Sequence, residues 1–339
     1  MMKKSFGTLS DGTKTCLYTI SCGKLSAQIT DYGATLVRLW VPDKDGNMAD
    51  VILGYKDAKG YEKGTTFQGA IVGRSANRIA GAAFVMNGTT HTLTPNEGQN
   101  NLHSGPDFYS KRMWTVEEVT EDFIRLYLFS PNGDQGYPGN AHIRVTYTME
   151  ADGLKITYDG RSDMDTVFNL TNHSYFNLAG HDRPEQAMEQ ELILPARTYT
   201  VADAQSIPTG EMRSVEGTPM DFRTPKAIGR DIDMDYEALK LQGGYDHNFE
   251  VFSDPCAILK DPQSGRTMAV STDCPGIQFY AGNFIVKEKG KDGAVYTKRS
   301  AVCLETQFYP DSVHHPEWPQ PFVKAGQHYH SETTYKFSW

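Results

Sequence analysis

Along this chain hydrophobic residues recur at every second position far more often than at helical spacing. In "HIRVTYTM", Ile143, Val145, Tyr147 and Met149 fall on one face, and in "LKITYDG" so do Leu154, Ile156 and Tyr158. A period of two marks a strand with one buried face. Asp152-Gly153 stands between those two runs, and Asn87-Gly88 splits "FVMNGTTHTL". Such dipeptides accept the left-handed backbone of a tight turn, so each predicts a hairpin. Further runs of strand character are "LSAQITDYGATLVRLWV", "ADVILGY", "FIRLYLFS", "QELILPA", "CAILKD", "RTMAVSTD", "GIQFYAGNF", "AVCLETQFY" and "ETTYKFSW". No amphipathic helix of ten or more residues is evident, and "DIDMDYEALKL" (231–241) predicts a turn or two.

These patterns predict an all-β fold, a large antiparallel β domain of packed sheets with few short helices. The 31 glycines and 17 prolines suit many turns between short strands. No low-complexity linker, fixed-period repeat or composition shift divides the chain, so one domain over residues 1–339 is expected.

Composition narrows the partners. A net charge of −9 argues against nucleic acid or an anionic membrane surface. No stretch approaches the roughly 18 apolar residues of a membrane span. Lys3-Lys4 is not followed by an apolar segment, so a secretory signal is not expected. The five cysteines are scattered, with no C-x-x-C pair, which predicts reduced thiols in a cytoplasmic protein and suggests no function for them.

Candidate chemistry sits in the loops. Segments 93–114, 130–140 and 241–249 mix Asn, Gln, Asp, His and aromatics, a set that suits a neutral polyhydroxylated ligand. His173 lies in "VFNLTNHSYFNLAG" and His103 in "NNLHSGPDF", each either a hydrogen-bonded structural histidine or an acid/base group. Glu305, in the apolar run "AVCLETQFYPD", is either a satisfied carboxylate or a general base raised by burial. Asp246 in "GGYDHNF" could bind ligand or hold a turn, and His247 beside it reads as structural. His314, His315, His328 and His330 look like surface or edge positions. Neither H-E-x-x-H nor C-x-x-C is present, so no metal site is expected, and the G-x-S-x-G elbow of serine hydrolases is missing. "VGRSANRIAG" lacks the spacing of a phosphate loop.

Taken together and in order, "GRSANRI" (73–79), "NNLHSG" (100–105), "GDQGYPGN" (133–140), "FNLTNHSYFNL" (168–178), "GYDHNF" (244–249), "PGIQFYAGNF" (275–284) and "CLETQFYPDS" (303–312) resemble the motifs of the galactose mutarotase (aldose 1-epimerase) family. The resemblance spans residues of about 20 to 335. It implies a β-sandwich with an open sugar cleft, and cofactor-free interconversion of the α and β anomers of aldohexoses such as galactose and glucose. It further implies Glu305 as general base, His173 as general acid and His103 assisting at the ring oxygen. Asn77, Arg78, Asp246 and Gln278 would bind sugar hydroxyls. Those roles carry the expectation of an ionised Glu305 and a His173 titrating near the ordinary value of about 6.5. Ser104 departs from the glycine common in the family and puts that loop's detail in doubt. The rivals are a non-catalytic sugar-binding module, a hexose-6-phosphate 1-epimerase, and a glycosidase using Asp246 with Glu305.

Overall fold

A computed structural model describes residues 2–339. Its frame is three antiparallel sheets of nine, six and five strands. The nine-stranded sheet runs, in spatial order, through Thr115–Val119, Phe123–Ser130, Ala141–Glu150, Gly153–Ser162, Tyr329–Ser338, Thr267–Thr272, Ala257–Lys260, Glu191–Ile193 and Lys226–Ala227. The six-stranded sheet orders Tyr175–Phe176, Val302–Gln307, Gly276–Tyr280, Asp246–Glu250, Thr198–Ala202 and Pro208–Ser214. The five-stranded sheet is a meander from Met2–Thr8 to Met48–Asp50. The α-helices described, Ala58–Lys63 and Glu237–Gln242, have six residues each, and the second falls where a turn or two was predicted. Among the described residues no helix is long and apolar enough to cross a membrane.

The alternating runs do what their pattern demands. Ile143, Val145, Tyr147, Leu154 and Ile156 are fully buried, and burying each such aliphatic side chain is worth about 1.5–3 kcal/mol. The Asn87-Gly88 hairpin forms as expected, with both residues left-handed at φ 52° and 77°. The neighbouring hairpin is shifted by one residue. Glu150 pairs with Gly153, so the loop is Ala151-Asp152 and the glycine belongs to the strand. Gly153 is needed for a different reason: a Cβ there would lie 2.6 Å from the Tyr335 carbonyl oxygen of the adjoining strand.

One apolar cluster links residues from Tyr18 to Phe337 and fills the space between the nine-stranded sheet and the other two. Phe176 of the six-stranded sheet meets Tyr335 of the nine-stranded one at a centroid distance of 5.0 Å. The strands Gly276–Tyr280 and Val302–Gln307 show no alternation, being buried at every position. Side chains still alternate between faces. Val302, Leu304, Ile277 and Phe279 fall on one face and join the apolar cluster. Glu305 is therefore on the other, directly opposite Gln278, which is opposite Asn248 in the next strand. That second face is covered by loops and forms the floor of a cleft.

Candidate active site

The cleft encloses about 700 Å³, and all seven residues singled out from the sequence line it: Asn77, Arg78, His103, His173, Asp246, Gln278 and Glu305. His173 and Glu305 stand side by side on its floor, Nε2 to Oε1 at 3.7 Å. Both are almost wholly buried, at 5% and 3% exposure.

The polar stretch around His173 serves to fix it. Short ladders on either side, Thr171–Asn172 with Ile71–Val72 and Tyr175–Phe176 with Val302–Cys303, leave His173 at the junction. Its N–H donates to the Ala70 carbonyl and its own carbonyl accepts from Gly69 N–H. Gly69 has φ 70°, and a Cβ there would collide with the Leu36 carbonyl oxygen, so only glycine brings this segment close enough. The asparagines satisfy backbone groups: Asn172 donates to Gly69 O, Asn177 to Arg183 O, and Asn169 Oδ1 accepts from Phe308 N–H. The imidazole is sandwiched by aromatics, with Tyr175 at 5.0 Å and Phe67 at 5.9 Å, both nearly parallel.

His103 is held by a reciprocal pair. Its N–H donates to Asn77 O, and its Nδ1 accepts from Asn77 N–H at 3.1 Å. An accepting Nδ1 leaves the proton on Nε2, so neutral His103 is a donor. Burial holds it well below the ordinary histidine value. Asn77, His103 and Ser104 all have left-handed backbone, φ 60°, 53° and 55°, a strain of the kind that collects at functional sites. Ser104 compensates for its departure from glycine. Its hydroxyl accepts from Ser75 N–H at 2.8 Å and contacts Tyr137 Oη at 2.9 Å.

Electrostatics corrects one expectation. Burial pushes the Glu305 carboxyl well above its ordinary value, the nearby Asp246 charge adds to this, and Arg78 opposes it. Burial also pushes His173 down to about 4. Glu305 therefore does not rest as a simple ionised base, nor does His173 titrate near 6.5. The low-dielectric floor favours the neutral form of each.

Around the pair, Gln278 donates to Asp246 Oδ1 at 2.7 Å. Gln278 Oε1 and Glu305 Oε2 are buried oxygens with no hydrogen-bond partner among the described residues. Two such orphans side by side are costly unless a ligand donates to them. Arg78 departs from its predicted role in part. Its Nε and Nη2 grip Glu97 at 2.6 and 3.0 Å, a bidentate salt bridge that leaves Nη1 for a ligand. Arg74 lies elsewhere, fully buried against Pro138 O, Thr166 and Ser130. His247 falls on the core face, its ring 5.6 Å from Tyr199.

Sequence reasoning missed Phe67, Glu97, Tyr175, Tyr280 and Cys303, all but the last of which line the cleft. Glu97 lay in a loop already marked as polar; "TTFQG" around Phe67 offered no signal. Cys303 Sγ is 3.5 Å from His173 Nδ1, which gives one of the supposedly idle cysteines a place beside the chemistry. His173, Cys303 and Glu305 bring three possible metal ligands within 4.8 Å of one another. In the metal-free site burial pushes the Cys303 thiol well above its ordinary value.

A buried imidazole–carboxyl pair beside unpartnered oxygens, on the floor of a β-sandwich cleft, is an arrangement suited to acid/base chemistry on a neutral ligand rich in hydroxyls. The aldose 1-epimerase family model matches residues 17–336, and the chain belongs to that family. Galactose mutarotase of Mus musculus is 40% identical, covering 98% of this chain and 97% of its own. The aldose 1-epimerase of Haemophilus influenzae is 38% identical, covering 99% and 100%. Among solved structures, an aldose epimerase homologue from C. elegans superposes with a TM-score of 0.88 at 32% identity, covering 96% of this chain and 99% of that one.

Proposed function

We propose that the protein is an aldose 1-epimerase that interconverts the α and β anomers of free aldohexoses at this cleft, with Glu305 and His173 as the acid/base pair. The observation that carries the proposal is the 3.7 Å spacing of His173 Nε2 and Glu305 Oε1. Ring opening removes a proton from O1 and adds one to O5, and both oxygens are bonded to C1. The catalytic atoms must therefore stand side by side, with the sugar above them rather than between them.

The opposed pKa shifts give the pair its direction. One proton shared by the two groups can be held as imidazolium with carboxylate, or as neutral imidazole with carboxylic acid. In the charged form Glu305 takes the O1 proton while His173 protonates O5, and the C1–O5 bond breaks. The open-chain aldehyde is left above the neutral form, the one that burial favours. Rotation about the C1–C2 bond and reversal of both transfers close the ring on the other face. Neutral His103 donates from Nε2 toward the ring oxygen and helps to carry its developing charge. Gln278 Oε1, Asp246, Asn77 and Arg78 Nη1 hold the hydroxyls.

The same floor argues against two of the rivals. A binding module has no need of a proton-exchanging pair so deeply desolvated. A 6-phosphate would require free cations, yet Arg78 is the one Arg or Lys lining the cleft among the described residues, and it is tied to Glu97. The apolar cluster from Tyr18 to Phe337 supports one domain over 1–339, and the five free cysteines support a reducing, cytoplasmic setting. Polarimetry of freshly dissolved α-galactose and α-glucose is the test. Rapid decay of optical rotation toward equilibrium is expected; no acceleration over buffer, or a preference for glucose 6-phosphate, overturns the proposal.

A further inference from the structure

On the outer face of the nine-stranded sheet, far in chemistry from the cleft, His328 and His330 converge on Asp159. Alternate residues of an extended segment project to the same side. Tyr329 between them turns inward and is buried, which leaves both histidines outward and exposed. Asp159 lies directly opposite His330 in the neighbouring strand. Its Oδ1 is 2.7 Å from His328 Nε2 and 3.1 Å from His330 Nδ1. One ligand atom from each of the three lies within 4.8 Å of the others.

We infer that Asp159, His328 and His330 form a site for a borderline divalent transition metal such as Zn²⁺, clamping the last strand to Gly153–Ser162. Two imidazoles and one carboxylate are donors that suit this class of ion, bound at about 2.0–2.2 Å. The metal takes the place of the two N–H donors now shared by a single carboxylate oxygen, and the rings keep their other nitrogen for water. Because the ligands come from paired strands of one sheet, only side-chain rotation separates the present geometry from a chelating one. The field around the site favours a cation: His330 also lines a shallow depression with Asp254, Asp273 and Glu332. Two cations oppose it: Arg144, across from Asp159 in the third strand and gripped by Glu117 at 2.8 and 2.9 Å, and exposed Arg161, two residues beyond Asp159 on the same face.

The test is a zinc chloride titration of the untagged full chain, followed by calorimetry and by thermal unfolding. One zinc per chain is expected, with Tm rising as zinc is added, since an ion that binds only the folded state stabilises it. Both effects vanish in the His328→Gln/His330→Gln double variant, and Asp159→Asn weakens binding at least about tenfold. All three positions are at the surface, so the variants should fold like the parent. Binding that is unchanged in the double variant places zinc elsewhere and overturns the inference. So does a wild-type chain that gives neither heat nor a shift in Tm.

Discussion

Two clusters in this molecule are assembled from the same parts, yet they are suited to different chemistry. At the cleft floor, His173 and Glu305 have side chains only 7% and 3% exposed, 3.7 Å apart. On the outer sheet face, His328, His330 and Asp159 are closer together but 46%, 47% and 31% exposed. Water and counter-ions screen the second set, so its charges are individually cheap and its value lies in convergent lone pairs. The first set has no such screen. Burial drives its imidazole down and its carboxyl up, so the neutral pair is favoured and the charged pair that opens the ring lies above it. Residue type proposes a chemistry and solvation selects among the options.

The sharpest way to break the comparison is to remove the buried carboxylate. Glu305→Gln keeps the shape and loses the proton acceptor, and kcat on α-galactose should fall by about 10²–10⁴ with little change in KM. His173→Asn should do the same. A near-normal rate in either variant removes that residue from the mechanism. Glu305→Gln should also raise Tm at neutral pH by on the order of 2 °C. The sign follows from the raised carboxyl. Its contribution to stability is complete below the ordinary value of 4.5 and is lost as pH rises through the higher folded value. The glutamine carries no such loss, so the gap in Tm should close as pH falls toward that ordinary value. A variant no more stable at pH 7 than at low pH, relative to wild type, would contradict the burial argument.

A smaller effect is expected from pH and from Asp246. The pair works while it holds one proton. Below pH about 4 His173 takes up a second, Glu305 stays protonated and no base remains, so kcat/KM falls. On the alkaline side activity falls as pH rises through the elevated Glu305 value and the shared proton is lost. Asp246 is among the causes of that elevation. Asp246→Asn should therefore move the alkaline limb of kcat/KM to lower pH, while KM rises from the lost hydroxyl contact. A limb that stays in place would show that Asp246 binds sugar without tuning the base.

Much of this was legible in the chain, and the failures have physical causes. Period-two burial is a local property, so Ile143, Val145 and Leu154 announced their strands. The Asp152-Gly153 turn was misplaced by one residue because glycine there answers a tertiary demand, the approach of the Tyr335 carbonyl. At the site, polar residues in apolar surroundings were conspicuous, and His103, His173, Asp246 and Glu305 do share one cleft. Their protonation was not legible, because desolvation depends on what packs from other segments, such as Phe67 and Tyr175 around His173. The Arg78–Glu97 pair and the Asp159 trio were equally hidden: a cross-strand or loop-to-loop partner leaves no mark at short sequence spacing. Cys303 looked inert for the same reason.

That cysteine gives the finest test of how the buried cluster is held. The Cys303 sulfur, kept as the thiol by burial, can accept from His173 Nδ1–H and leave Nε2 as the nitrogen that exchanges its proton with the sugar. A neutral hydrogen bond of this kind is worth about 0.5–1.5 kcal/mol net, so Cys303→Ala should lower kcat roughly two- to tenfold. Cys303→Ser, which restores an acceptor for Nδ1–H in nearly the same place, should recover most of that loss. KM should hold in both, because the thiol is not among the residues lining the cleft. If alanine and serine variants were equally slow, the loss would come from packing around the sulfur, and His173 would owe its orientation to the Tyr175–Phe67 stack alone.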